Sequence, residues 1–261
     1  MSEIVSSPFV IEMRGVQVAA MRDPSLTLLE DVNWSVSSGE FWVVAGPQHS
    51  GKSDLLLHAA GLMTPVAGNC RVFGCETDAF GEAQLADRLR VGFVFADGKL
   101  FSQLTIAENV ALPLRYQENL TAAADRAVDV LLELLELTPF AGATPANVAV
   151  NWRRRAALAR ALILQPELLL LDNPLGGLDG RHRNWLLQFL DQLWHGHEHF
   201  GGRPMTLVVT TGDLRAWQNP RRKFAVLDGK TFSALGSWAG VEANRSHMVK
   251  ELLAEPAGTT N

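Results

Sequence analysis

An α/β fold built around a phosphate-binding loop is what this sequence predicts. Three observations carry that expectation. The segment Gly46-Pro47-Gln48-His49-Ser50-Gly51-Lys52-Ser53 matches G-x-x-x-x-G-K-[ST]. It follows an apolar run, Phe41-Trp42-Val43-Val44-Ala45, and opens onto Ser53–Ala60, a helical stretch. Further along, short apolar runs alternate with segments of helical period, as in a sheet flanked by helices. The loop's chemistry is direct: successive backbone N–H groups and a helix N-terminus surround phosphate oxygens, Lys52 adds a positive charge, and Ser53 offers a hydroxyl to Mg²⁺.

Taken in order, Phe9–Val18 and Leu29–Val36 alternate like strands, and Ser38-Gly39 turns the second into the strand before the loop. Arg71-Val72-Phe73-Gly74 reads as strand and turn, with Cys70 and Cys75 on either side as buried or half-buried thiols. From Leu100 to about Ala161 the period becomes helical, and Ala122–Leu137 predicts a strong amphipathic helix. Leu168–Leu171, ending in Asp172, has the pattern of a parallel strand covered on both faces, and Thr206–Thr210 is another. Phe224–Leu227, Asp228-Gly229 and Thr231–Ala234 predict a closing hairpin, and the tail from about Glu255 is expected to fray.

Composition bounds the function. The chain has 261 residues, 47% of them hydrophobic, enough for one large domain spanning 1–261. A net charge of −5 argues against nucleic acid as a partner. Two cysteines are too few for a disulfide framework, which points to a reducing cytosol. The opening Met1-Ser2-Glu3-Ile4 lacks the basic and apolar character of a leader, and no apolar run is long enough to span a membrane. Arg153-Arg154-Arg155 with Arg160 is expected to form a solvated helix face. His195-Gly196-His197-Glu198-His199 is expected to be a solvated loop.

A phosphate loop needs a second acidic residue at the end of another strand to hold magnesium, and Asp172 is suited to it. Together with Val91–Phe95, Leu100–Val110, Arg155–Leu162, Leu168–Asp172 with Pro174, and Gly177-Leu178-Asp179, the loop resembles the ATPase subunit of ABC transporters across nearly the whole chain. The resemblance implies a P-loop NTPase of ABC type: a mixed sheet core, an inserted α-helical subdomain at 97–161 and an N-terminal antiparallel β-subdomain. It implies ATP and Mg²⁺ as cofactors and a second ATPase subunit, in a homo- or heterodimer with Asp179 at the seam. It also implies separate transmembrane permease subunits, which would hold the chain at the inner face of the membrane. Leu100, Phe101 and Leu104 then either receive a helix of a membrane subunit or pack in the core. Asp179 also suits a helix N-cap.

Five family positions depart from the pattern. The glutamine after Val91–Phe95 falls on Ala96, and the signature Leu-Ser-Gly-Gly-Gln falls on Val148-Ala149-Val150-Asn151-Trp152. The glutamate after the magnesium aspartate is Asn173, the switch histidine falls on Gly212 (or Thr211), and no aromatic lies near Ala20 to stack on adenine. Losing a positioned base costs about 10²–10⁴ in rate, and losing a transition-state donor about 10²–10³. The groups that bind the ground state remain: Lys52, Ser53 and Asp172. This predicts a subunit that binds MgATP and hydrolyses it poorly or not at all, as the structural or regulatory half of a transporter. Two alternatives stand beside it: a working transport ATPase, and a soluble interaction module switched by nucleotide.

Overall fold

Residues 9–77, 88–117 and 121–254 are described in the computed structural model of the chain; the tail expected to fray from Glu255 lies outside them. Backbone contacts divide the chain into two units, one from the residues up to 88 and from 206 onward, the other from residues 89–205.

The first unit holds two sheets. β1 (Phe9–Ala20) pairs antiparallel with β2 (Asp23–Ser37) and with β4 (Ala67–Val72), which pairs antiparallel with β5 (Cys75–Glu76). Alternation along β1 and β2 buries Ile11, Met13, Val16, Val18, Leu29, Val32 and Val36 on one face. Gly68 sits at φ +84 where a β-carbon would lie 2.3 Å from the Gly15 carbonyl oxygen, so only glycine lets β4 approach β1 there. Cys70 is buried and Cys75 half-buried, as their flanking positions predict.

The second sheet of this unit is mixed. β3 (Phe41–Ala45), fully buried, runs parallel to both β8 (Thr206–Thr211) and β9 (Lys223–Asp228), and β9 turns into antiparallel β10 (Thr231–Gly236). β3 leads through the glycine loop into α1 (Lys52–Ala59). Two short helices, α6 (Trp238–Ala243) and α7 (His247–Leu253), follow β10. His58, on α1, is completely buried, with Nδ1 2.8 Å from the Asp54 carbonyl oxygen.

In the second unit, β6 (Val91–Val94) runs parallel to β7 (Leu168–Leu171), whose four leucines are all buried. Between them lie α2 (Ile106–Tyr116), α3 (Ala122–Leu134) and α4 (Val150–Leu162), and α5 (Gly180–His195) follows β7. Thr105 and Glu108 form a capping box at the start of α2. Buried Asn109 donates to the carbonyls of Phe101, Leu104 and Thr105 and accepts from the Phe101 N–H, which shapes the loop before that helix. Phe101 remains 56% exposed, whereas Leu100 and Leu104 are half-buried. α3 ends three residues short of the predicted Leu137, because Glu136 takes a left-handed φ of +59 that ends the helical path. Among the described residues, no helix is long and apolar enough to cross a membrane.

Two expectations follow. Gly68→Ala forces a β-carbon into the Gly15 backbone and is expected to cost about 2–4 kcal/mol in chemical denaturation. Burial is the leading cause that lowers the His58 pKa, outweighing its bond to Asp54. The unfolded chain therefore takes up a proton below about pH 6.5 that the folded chain resists, so this group subtracts stability as the pH falls through that value. Between pH 7.5 and 5.5 the wild type is expected to lose more stability than His58→Gln.

Candidate functional site

The glycine loop is shaped by what surrounds its first residue. Gly46 donates its N–H to the Thr211 carbonyl at 3.1 Å, docking the loop on the end of β8. A β-carbon on Gly46 would meet Ser50 Oγ at 2.6 Å and Leu227 Cβ at 3.1 Å, so the turn closes only around glycine. Pro47 accepts the Ser50 N–H at 3.3 Å, Gln48 and His49 stand exposed at the apex, and Gly51 enters the helix at φ +85. A β-carbon on Gly51 would crowd Leu28 Cβ at 3.1 Å. Lys52 Nζ curls back to the carbonyls of Gly46 (2.9 Å) and Pro47 and to Ser50 Oγ. Ser53 is exposed in the first turn of α1.

The residues present fit a polyphosphate. A narrow loop closed by two glycines, a lysine over its mouth and the positive end of α1 supply N–H donors and charge where phosphate oxygens would sit. The hydroxyl of Ser53 and the carboxylate of Asp172 are hard oxygen donors of the kind Mg²⁺ takes. Asp172 is buried at the end of β7, with its N–H bonded to the Val94 carbonyl at 2.9 Å.

The remaining predicted positions carry different chemistry. Gly212 is exposed, and a β-carbon there would approach only the Gly46 carbonyl oxygen, at 3.9 Å, so the position beside the loop offers no side chain. Thr211 turns its hydroxyl to the Asp213 backbone instead. Ala20 closes β1 half-buried; beside it the apolar Met21 is 64% exposed, and its N–H is held by Asp54 Oδ1 at 2.8 Å. No motif flags Met21; its only sequence signal is a large apolar residue at a hairpin tip. Asn173 adopts a left-handed φ of +44, and its carboxamide lies where a β-carbon of Gly176 would be, 2.3 Å from Nδ2. The Ala96 carbonyl accepts Arg154 Nε at 3.1 Å, and the Gly176 carbonyl accepts another nitrogen of the same guanidinium. Arg154 thus ties together the loops that follow β6 and β7.

The signature positions are drawn into a side-chain cluster between α4 and α5. Val148 is buried, Ala149 and Val150 are exposed, and Ala149 caps α4 without any side-chain bond. Asn151 Nδ2 donates to Asp179 Oδ2 at 2.9 Å, and His182 Nδ1 lies 2.8 Å from the same oxygen. Asp179 caps α5, as its position predicts, by accepting the His182 N–H at 3.0 Å. That backbone bond and the imidazole bond hold its carboxyl below the usual range. Trp152 packs against Phe140 and His182, with ring centroids 5.0 and 5.2 Å away.

Here one expectation is corrected. The arginines do not form a solvated face: the Arg155 side chain is 5% exposed, with its guanidinium 3.6 Å from the Trp185 ring and 4.6 Å from that of Trp152. One nitrogen also reaches Glu136 Oε2 at 2.8 Å. Arg154 is half-buried, and Arg160 donates to the carbonyls of Gly98 and Lys99. Flat rings and carbonyl oxygens supply what water would otherwise give the guanidinium groups. In the histidine segment, His195 Nδ1 lies 2.7 Å from the Asp191 carbonyl and His197 Nδ1 accepts the His199 N–H. Among the described residues no three His, Cys, Asp or Glu side chains converge as a metal site.

The sequence profile of the ABC transporter family matches residues 29–176. The chain is 34% identical to a sulfate/thiosulfate import ATP-binding protein of Synechococcus elongatus over 88% of its own length, and it spans 64% of that relative. It is 34% identical to an aliphatic sulfonates import ATP-binding protein of Bacillus licheniformis, covering 78% of this chain and 74% of that one. A probable sulfate/thiosulfate import ATP-binding protein of Chlorella vulgaris is 36% identical, with 85% and 90% covered. Among solved structures, a dimeric ATP-binding cassette in a post-hydrolysis state bound to ADP and phosphate aligns with a TM-score of 0.74. Its sequence is 27% identical, and 85% of this chain and 95% of that chain are covered.

The buried arginine makes its own prediction. Arg155→Leu removes two ring contacts and an ion pair and is expected to destabilise the protein by about 2–3 kcal/mol in urea unfolding. Arg126→Ala, on the exposed side of α3, should stay within about 0.5 kcal/mol.

Proposed function

The chain belongs to the ABC transporter family, and from that premise we propose that it is the nucleotide-binding ATPase subunit of an importer for a sulfur oxyanion or sulfonate. The observation that carries this reading is the closed glycine loop with Lys52 folded over it. The cargo class is suggested by relatives named for sulfate, thiosulfate and aliphatic sulfonates. Its partners in this reading are a second ATP-binding subunit, identical or different, and separate membrane-spanning permease subunits, with the chain peripheral to the membrane. Phe101, exposed ahead of α2, is a natural contact for such a permease.

Bound MgATP supplies the phosphoanhydride whose hydrolysis drives transport. In the proposed site the backbone of Gly46–Ser53 grips the phosphate oxygens, Lys52 turns from its carbonyl partners toward the added negative charge, and Ser53 furnishes an oxygen ligand for the cation. Asn173 can orient a water through its carboxamide but cannot accept its proton. The similarity to import ATP-binding proteins favours the hydrolysing subunit over the inert transporter half that the substituted positions alone suggest.

A second reading retains one specific observation. The Asn173 carboxamide is turned against Gly176, and neither Ala96 nor Gly212 brings a polar side chain. In that reading the subunit binds MgATP and closes its dimer without turnover. Phosphate release from the purified chain, with and without its permease partners, separates the two. The proposal expects MgATP turnover near 1 s⁻¹, the low end for enzymes, falling by about 10² or more in Lys52→Ala. Retained MgATP binding with no phosphate release would leave the second reading standing instead.

A further inference from the structure

We propose that the cavity between α4 and α5 is a binding site for ordered water, which bridges Asn151, Arg155 and His182 where the two helices meet. The site lies wholly within the second unit and does not depend on the nucleotide-binding reading. The cavity has about 30 Å³ of space open to a water. One water needs about 10–15 Å³ measured this way, so there is room for about two. Val94, Leu158, Leu171, Leu178 and Leu186 form much of the wall. A cavity lined only by such groups stays dry. Here Asn151, Arg155 and His182 stand in the same wall. Each carries a buried atom with no hydrogen-bond partner among the described residues: Asn151 Oδ1, Arg155 Nε and His182 Nε2.

The bonds already made fix what these atoms need. Asp179 Oδ2, a carboxylate oxygen that only accepts, lies 2.9 Å from Asn151 Nδ2 and 2.8 Å from His182 Nδ1. Both nitrogens therefore turn their hydrogens to Asp179, which leaves Asn151 Oδ1 and, in the neutral ring, His182 Nε2 as acceptors. Two acceptors cannot serve each other. Arg155 supplies a donor. Its Nη1 is bonded to Glu136 Oε2 at 2.8 Å and to the Leu135 carbonyl at 3.3 Å, and the rings of Trp152 and Trp185 lie against the guanidinium, so the Nε hydrogen is left over. Water meets this mixed demand with two O–H groups for the acceptors and a lone pair for the Arg155 Nε–H. The aliphatic side chains of the wall supply neither. Three buried polar atoms left without partners cost more than immobilising one water. His58 Nε2 is a lone atom of this kind; donor and acceptors gathered on one cavity wall make a built site.

The test is a crystal structure of the full-length chain at about 1.5 Å, fine enough to place ordered water and its contacts. Expected is a water within about 2.6–3.2 Å of at least two of the three atoms. In solution, magnetic relaxation dispersion of the water oxygen counts long-lived internal waters. The double variant Asn151→Leu with His182→Phe removes both acceptors and is expected to hold about one or two fewer than the wild type. If that variant does not fold, the wild-type crystal decides alone. A cavity that is dry, filled by a molecule other than water, or closed by the three side chains turning onto protein partners would overturn the proposal. Equal counts of long-lived waters in wild type and variant would overturn it too.

Discussion

The space around Gly46 is too small for a β-carbon, and the local architecture follows from that restriction. β3 ends beside β8 and β9, and the chain must leave the sheet without a side chain between the Ser50 hydroxyl and Leu227. The Gly46 N–H then reaches Thr211, the turn tightens through Pro47 and Ser50, and α1 begins with its N-terminus at the loop. The result is a tight glycine turn at a helix N-terminus, the setting in which backbone N–H groups bind anions. Lys52 and Ser53 occupy the first turn of the helix because the glycine turn places them there.

The strand ends of the second unit carry the other residues singled out from the sequence. Asp172 keeps the position that a buried parallel strand creates for a carboxylate. Next to it, Asn173 is bent into a left-handed conformation and faces Gly176. The loops after β6 and β7 are joined by Arg154 through carbonyl oxygens, contacts that do not depend on which side chains those loops carry. Backbone geometry and side-chain chemistry are thus separable here: the glycine loop is shaped by its backbone, whereas Asn173 and Ala96 differ only in the side chains their loops carry.

Much of this was legible in the sequence. Phe41–Ala45 and Leu168–Leu171 are strands because continuous apolar runs of that length suit a strand covered on both faces. The strands β1 and β2 followed from period-two alternation in Phe9–Val18 and Leu29–Val36, their antiparallel sheet from the family resemblance, and the loop from a motif whose letters each have a mechanical reason. The end of α3 was not legible, because the turn at Glu136 is a backbone event with no glycine to announce it. The left-handed conformation of His49, at φ +63, was hidden for the same reason, in a motif position that accepts any letter.

By itself the sequence determined the order of most strands and helices and the phosphate loop, and its motifs carried the resemblance to the fold family. The strands, helices and loop are local facts, written in periodicity and spacing over a dozen residues or fewer. Only the tertiary structure decided what became of the signature segment. Arg155 reads as a surface charge until Trp185, thirty residues later, is laid across it, and nothing in the sequence near Asn151 announces that Asp179 and His182 reach it. The physical reason is distance along the chain: a cation is buried or solvated according to which rings and carbonyls the fold brings near it, and no window of sequence contains both partners.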